Sequence, residues 1–524
     1  MPDDSSAIPP IAAIDIGTNS IHLIIAKIES DKNFEILDSH KDLVRLGDAI
    51  DKDRLISDEA IEKTVSAILH MREIATTYQP TYRVVATHAT RSARNYKELF
   101  QKIYDATGIY VSLIDGVEEA RLVSLGMLSG LPLSEKTFLG IDIGGGSTEI
   151  IICNKNQIKY VTSLEIGTVT LNKKFLKNEK LKKADLECLS NEIDLRLAPI
   201  RSCKNISFDC AVICSSAAKT LAQLQSAELS DTDLEDPNGY HLTSSEIHSK
   251  LKQIKKLGKP KKIKDVWDLD SHRAELLLAG TAILSKLSDF FTINEWIIST
   301  FGLREGLVLD TINRLQGTPL SGTEDIRWNN IQKLGQKYRV DENFATKVLK
   351  LALSLFDQLQ PLAPIYIKKE TGVQISDRGI LKAAAWLHEC GKFISFPKFH
   401  KNSYFLIAHS RLMGFSQKER QFIGLVARFH RKGKASRKSY YCSELYGNDI
   451  KRINYLASIL RIASGANRSR QGNLENIKLE YVDNELKFMI KKLGNANPSV
   501  DLYKIDKEKS FLEEIIKIPI KIIS

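Results

Sequence analysis

The sequence predicts an α/β protein with two related α/β domains, followed by an all-α domain and a small α+β domain. Three observations predict it. A strand–turn–strand segment occurs twice in the N-terminal third, a composition break rich in Gly, Pro, Ser and Thr falls at Gln316 to Thr323, and beyond it helical periodicity gives way near Asn476 to alternation. A chain of 524 residues exceeds one ordinary core, and these breaks divide it into domains over residues 1–128, 129–316, 317–472 and 473–524.

The repeat reads AAIDIGTNSIHLII from Ala12 to Ile25 and LGIDIGGGSTEIII from Leu139 to Ile152. Each copy is an apolar strand, an Asp-x-Gly turn and a second apolar strand. Asp15 matches Asp142, Gly17 matches Gly144, Ser20 matches Ser147 and His22 matches Glu149. Glycine lets an anion approach the backbone, and successive N–H groups with Ser or Thr hydroxyls then face it. The expected phosphate cradle is therefore Gly17, Thr18, Asn19 and Ser20 with Gly144, Gly145, Gly146 and Ser147. An Asp at the strand end suits a divalent cation or its water shell.

Between the two copies, Asn33 to Ser39 reads as a strand, Ser57 to Tyr78 as a helix with Ser57 as N-cap, Arg83 to Thr87 as a strand and Asn95 to Thr107 as a helix. A strand over Tyr110 to Ile114 ends at Asp115-Gly116, and Glu118 to Gly130 forms a helix with acids in its first turn, where the helix dipole favours them. Past the break, Phe344 to Leu359 is helical, and the last segment reads as strands Ile477 to Val482 and Leu486 to Ile490, a helix Phe511 to Ile516 and a terminal strand.

Composition narrows the class. With 43% hydrophobic and 27% charged residues the chain is globular rather than disordered. It contains no apolar run of the ~18 residues a membrane helix needs, so no membrane partner is expected. Met1 to Pro10 is acidic and Pro/Ser-containing, unlike a signal peptide, and is expected to fray. Seven cysteines without a C-x-x-C pair suit free thiols in a reducing cytoplasm. The net charge of +11 is concentrated in seven lysines from Lys252 to Lys264 and in Arg431, Lys432, Lys434, Arg437 and Lys438. Such patches attract polyanions without choosing among them; the second is expected to guide a long anion towards the N-terminal cleft.

The hairpins resemble those of the actin, hexokinase and heat-shock ATPase superfamily, whose two ribonuclease H-like domains face each other across a cleft and each contribute one such turn; the resemblance implies that arrangement here. ATHATRSARN from Ala86, LIDGVEEARLV from Leu113, SLEIGTVTL from Ser163, CSSAAKT from Cys214, HRAELLLAG from His272 and FGLREGLVL from Phe301 narrow the resemblance to the exopolyphosphatase and guanosine pentaphosphate phosphohydrolase family. It implies a phosphoanhydride hydrolase with Mg²⁺ as cofactor and Glu119 as catalytic base, Glu118 being solvated. It further implies Asp142 and Glu149 as metal ligands, with Asp15 approaching from the opposite wall, and Arg91 as a phosphate contact with Arg304 as a further candidate. Arg94 reads as a helix-start surface charge. Inorganic polyphosphate is the leading substrate, guanosine pentaphosphate (pppGpp) the alternative, and a non-catalytic sensor a remoter one. No nucleic acid is expected, and a homodimer is.

The C-terminal third resembles the helical metal-dependent phosphohydrolase module named for its His-Asp pair, through AAAWLHECGKF and ILRIASGANRSR. Here His388 is followed by Glu389 rather than Asp, and Ser464 stands where an Asp is expected. His400, His409 and His430 lack the spacing of a closed site. The expectation is an HD-like docking domain without a working metal centre.

Overall fold

A computed structural model describes residues 9–523, apart from 31–32, 134–135, 156, 177–181, 231–233, 235, 317–322, 364–375, 411, 413–414, 416, 443–444 and 446. The expected frayed start and most of the expected linker lie outside the described residues. The chain forms two compact units, Met1–Glu324 and Asp325–Ser524.

In the first unit β1 (Ile11–Ile16), β2 (Ile21–Ser30), β3 (Asn33–Asp42), α1 (Asp58–Thr76), β4 (Thr81–Ala86), α2 (His88–Ser92), α3 (Tyr96–Thr107) and β5 (Val111–Leu113) build a five-stranded sheet in the order β3-β2-β1-β4-β5. β1, β2 and β3 form an antiparallel meander, and β4 and β5 add in parallel to β1. Ser57 caps α1 by accepting from Ala60 N, as its residue type predicts.

Then follow α4 (Gly116–Gly130), β6 (Phe138–Ile143), β7 (Thr148–Cys153), β8 (Ile158–Leu164), α5 (Thr168–Phe175), α6 (Lys183–Leu197), β9 (Cys210–Ser215), α7 (Ser216–Ser230), β10 (His241–Thr243), α8 (Ser244–Leu257), α9 (Pro260–Trp267), α10 (Ser271–Phe291), β11 (Glu295–Ile298) and α11 (Leu303–Gln316). Their sheet has the order β10-β11-β9-β6-β7-β8 and repeats the meander in β6, β7 and β8, with β9 parallel to β6. The internal repeat in sequence is thus a repeat in topology.

The helices that follow each sheet are exchanged. Ala120, Val123 and Met127 of α4 pack with Phe138, Ile151 and Val212 of the second sheet. Leu307, Val308 and Ile312 of α11 pack with Ile11, Ala13, Ile24 and Val85 of the first. The two helices touch backbone to backbone: a Cβ at Gly306 would stand 1.8 Å from Leu122 O, and one at Gly126 would stand 2.1 Å from Gly302 O. Only glycine admits that approach.

The second unit contains α12 from its third residue onward (the helix spans Thr323–Lys337), then α13 (Glu342–Leu359), α14 (Asp377–Leu387), α15 (Phe399–His409), α16 (Gln417–Phe429), α17 (Gly447–Gly465), β12 (Leu474–Val482), β13 (Glu485–Lys492), α18 (Ser499–Ile516) and β14 (Ile520–Ile523). β13 pairs antiparallel with β12 and parallel with β14. The last segment has no core of its own: Ile477, Phe488, Ile505 and Leu512 are buried in one cluster with Val348, Ile380, Leu425 and Leu460. Its helix is longer than the expected Phe511 to Ile516, because the first turns, from Ser499, bury few residues and carry little apolar signal.

Candidate active site

The twin turns are built alike. Gly17 N donates to Ser20 O at 3.1 Å, and Gly144 N donates to Ser147 O at 2.9 Å. Across the hairpins Asp15 pairs in register with His22, and Asp142 with Glu149. The matched offsets of the sequence are therefore matched rungs of two ladders. Neighbouring segments consume the turn carbonyls: Thr18 O and Asn19 O accept from Gly47 N and Arg45 N, while Gly144 O and Gly145 O accept from Thr168 N and Val169 N. In a trans peptide the N–H opposes the C=O. The N–H groups of Asn19 and Ser20, and those of Gly145 and Gly146, therefore point away from these props.

The turns meet. A Cβ at Gly146 would lie 2.2 Å from His88 Cδ2 and 2.7 Å from Thr18 Oγ1, and one at Gly145 would lie 3.2 Å from Thr18 Cβ. Glycine is required where the second turn closes on the first.

Asp115 caps α4, accepting from Val117 N and Glu118 N, and so sets the first turn on which Glu119 sits. Arg91 Nη1 holds that geometry, donating to Ile114 O at 2.7 Å and to Glu119 Oε2 at 3.3 Å. Burial raises the Glu119 pKa, with the Glu149 charge adding and Arg91 opposing. Burial likewise raises Glu149, aided by Asp142; Ser163 Oγ, donating to Glu149 Oε1 at 2.8 Å, opposes it. Asp142 is pushed up to about 7 by burial, then by Glu119, with Asp15 adding and Lys219 opposing. Asp15 reaches about 7 by burial and Glu119, against Arg304. Four carboxylates, one from each turn-bearing strand β1 and β6 and one each from β7 and α4, thus share one electrostatic environment. Such a concentration of raised carboxylates marks a functional site.

The donor set fits a hard divalent cation. Asp15 Oδ1 is buried without a hydrogen-bond partner, and a buried acceptor left unmatched is costly unless something binds it. Carboxylate oxygens suit Mg²⁺, which binds through one or two of them and keeps water for the substrate phosphates.

Folding brings Asp15, Glu119, Asp142 and Glu149 into one neighbourhood, and one expectation nearby is overturned. Glu118 is 2% exposed rather than solvated. Its oxygens take both Nε and Nη2 of Arg121 at 2.8 Å, and Arg121 Nη2 reaches Asp310 of α11 at 2.7 Å. Apolar surroundings on both sides of α4 forbid a solvated acid there. Arg94 is exposed, as expected of a surface charge. Arg304 pairs with Glu305 Oε1 at 3.5 Å and its charge is felt by Asp15 and His22. Sequence reasoning missed Lys219. It lies in the first turn of α7, where the helix dipole disfavours a cation, and that misfit was the available signal. It also missed His272, whose Nε2 lies 2.6 Å from Asn19 Nδ2.

In the second unit, folding brings together histidines that sequence spacing keeps apart. The rings of His388 and His430 are 4.8 Å apart, and His400 adds to the field on His430. Glu389 turns instead to Lys392 and Arg470.

Comparison with known proteins is decisive at this point. The profile of the Ppx/GppA phosphatase family matches residues 24–315, and that of Ppx/GppA phosphatase domain III matches residues 326–509. The chain belongs to the Ppx/GppA phosphatase family. Among its relatives, a guanosine-5'-triphosphate,3'-diphosphate pyrophosphatase of Vibrio vulnificus is 28% identical over 472 residues, covering 89% of this chain and 88% of the relative. A protein of the same description from Pseudoalteromonas translucida is 28% identical over 454 residues, covering 86% of each. The crystal structure of an exopolyphosphatase from Cytophaga hutchinsonii aligns with a TM-score of 0.54 at 27% identity, covering 60% of this chain and 100% of that one. Ppx/GppA membership supports the coarse expectation of a phosphoanhydride hydrolase on an actin-like fold. The two relatives that match nearly end to end both carry the guanosine-5'-triphosphate,3'-diphosphate pyrophosphatase description, and the exopolyphosphatase structure matches over 60% of this chain.

Proposed function

We propose that this Ppx/GppA member hydrolyses the terminal 5′ phosphoanhydride of pppGpp, releasing orthophosphate. The observation that carries the reading is Glu119, a buried acid of raised pKa held by Arg91 and close enough to both turns for its charge to raise Asp15 and Asp142. Burial and neighbouring charge tune it for proton abstraction near neutrality, as general bases require. The Glu119 carboxylate accepts a proton from water, the water oxygen forms a bond to the terminal phosphorus, and the bridging P–O bond breaks with its electrons going to the leaving diphosphate oxygen. Arg91 and the N–H groups of both turns orient the terminal phosphate; Lys219 and Arg304 neutralise charge on the leaving side. Asp142 and Glu149, with Asp15 opposite, would hold Mg²⁺, which supplies further neutralisation of phosphate oxygens.

A second reading, polyphosphate hydrolysis by the same chemistry, is favoured by one observation. Lys252, Lys255, Lys256, Lys259, Lys261, Lys262 and Lys264 are all exposed along α8 and α9, a surface suited to a long polyanion. Phosphate release from pppGpp and from long polyphosphate, measured on one preparation with and without Mg²⁺, tests both. Faster turnover of polyphosphate at equal phosphate-end concentration would reverse the order, and release of phosphate from neither would remove the proposal.

A further inference from the structure

Away from the cleft, His40 and Asp42 lie two residues apart on β3 and so on the same face of an edge strand. α1 lays His70 against them. Among the described residues, this is the one group of at least three His, Cys, Asp or Glu side chains whose ligand atoms all lie within 4.8 Å of one another. His40 Nε2 stands 3.4 Å from Asp42 Oδ2. Two ligands each about 2.0–2.1 Å from a tetrahedral Zn²⁺ stand roughly 3.3 Å apart, so this pair already has the spacing a shared ion needs. The rings of His40 and His70 lie edge to face with centroids 4.9 Å apart. His40 Nε2 is buried and makes no hydrogen bond; it faces the Asp42 carboxylate at 3.4 Å as an ion pair would, a spacing too long for a good hydrogen bond.

Asp42 and His70 line a cavity of about 590 Å³ between the end of β3 and α1, together with Glu59, Glu62 and Ser66. These α1 positions recur at three- to four-residue spacing and so share the helix face that carries His70. Lys63 lines the same cavity and pairs with Glu59 at 2.7 Å, so the carboxylates of Asp42, Glu59 and Glu62 stand against one lysine and leave the mouth net negative. The His40 and Asp42 side chains are 31% and 35% exposed, enough for an ion to enter.

We propose that His40, Asp42 and His70 bind a transition-metal cation of the Zn²⁺ type, with water or Glu62 completing the coordination. Two imidazoles and one carboxylate suit such a borderline ion, whereas Mg²⁺ prefers oxygen donors alone. The site is separate from the carboxylate set of the cleft. It fastens the end of β3 just ahead of Arg45 and Gly47, whose N–H groups prop the first phosphate turn.

The test titrates the untagged full chain with Co²⁺, whose visible bands report nitrogen and oxygen ligation and whose thiolate bands would expose binding at cysteine. The expected result is stoichiometric visible absorption without thiolate bands, displaced by Zn²⁺ and preserved in Asp142→Asn. In His40→Ala/His70→Ala the affinity falls at least about 100-fold, the upper range seen when metal sites lose even supporting groups. His70→Ala alone, at an exposed helix position, gives a partial loss in a chain whose circular dichroism and Mg²⁺-dependent hydrolysis match the parent. Unchanged titration in the double variant, thiolate bands, or loss of the signal in Asp142→Asn instead would overturn the proposal.

Discussion

On the first turn of α4, Glu118 and Glu119 point roughly 100° apart, and that rotation divides their roles. Glu118 faces Arg121 and the α11 side; Glu119 faces Arg91 and the other acids. Glu119→Gln should lower phosphate release by about 10²- to 10⁴-fold, the usual worth of a positioned base, while substrate binding by equilibrium dialysis persists; normal turnover would refute the base assignment. Glu118→Ala should act differently. It leaves a buried Arg121 with half its partners, a loss of about 3 kcal/mol, read as a lower denaturant midpoint. The raised acids also predict a pH dependence. Asp15 and Asp142 hold protons to about pH 7 when folded, whereas the unfolded chain releases them near pH ~4. The folded state thus binds more protons between those limits, and stability falls as pH rises through them. In chelator, Tm should be lower at pH 8 than at pH 6, and Mg²⁺ should raise it more at pH 8; a flat profile would contradict the shared acid environment. At this scale much was legible in the sequence. Asp15 and Asp142 follow from the repeat, and Glu149 and Glu119 from the resemblance, but the setting of Lys219 and the burial of Glu118 beside Arg121 depend on packing contacts that span 81 and 189 positions and that no local pattern encodes.

At the scale of elements, hairpins and capped helices were readable because their signals are local: a period of two, a Ser or Asp cap, an Asp-x-Gly turn. The exchange of α4 and α11 was not. Both are apolar on more than one side, so periodicity says they are buried without saying against which sheet. Their glycine contact carries a prediction. Gly306→Ala places a Cβ 1.8 Å from the Leu122 carbonyl oxygen, a backbone atom that cannot step aside. The helices must separate, and α4 carries the base. A loss of about 1–3 kcal/mol, typical of overpacking, should accompany a fall in kcat, checked by thermal melts and phosphate release together. Full activity in a destabilised Gly306→Ala protein would show that Glu119 does not depend on this contact.

For the whole molecule, charge is the property that sums over many residues. The net +11 includes seven exposed lysines from Lys252 to Lys264 with no acid among them in sequence, linked by the Lys264 Nζ to Ser271 Oγ contact of 3.1 Å to the residue before His272, which reaches Asn19. Replacing Lys255, Lys256, Lys261 and Lys262 by Gln should raise KM for long polyphosphate several-fold at low salt and converge with the parent near 1 M, where screening is complete within ~3 Å; pppGpp turnover should change less. Equal effects on both substrates would mean that the surface serves the site and not chain length.

One consequence follows from helices planted in opposite lobes. Such a pair works as a hinge pin, and a jaw turning on a pin moves least beside it. Glu119 lies two helical turns before Gly126 on the pin itself, so opening the mouth would widen the space between Thr18 and Gly146 while the proton acceptor keeps its station. An anion would then enter and leave between the lobes without displacing the carboxylate placed to take a proton from the attacking water.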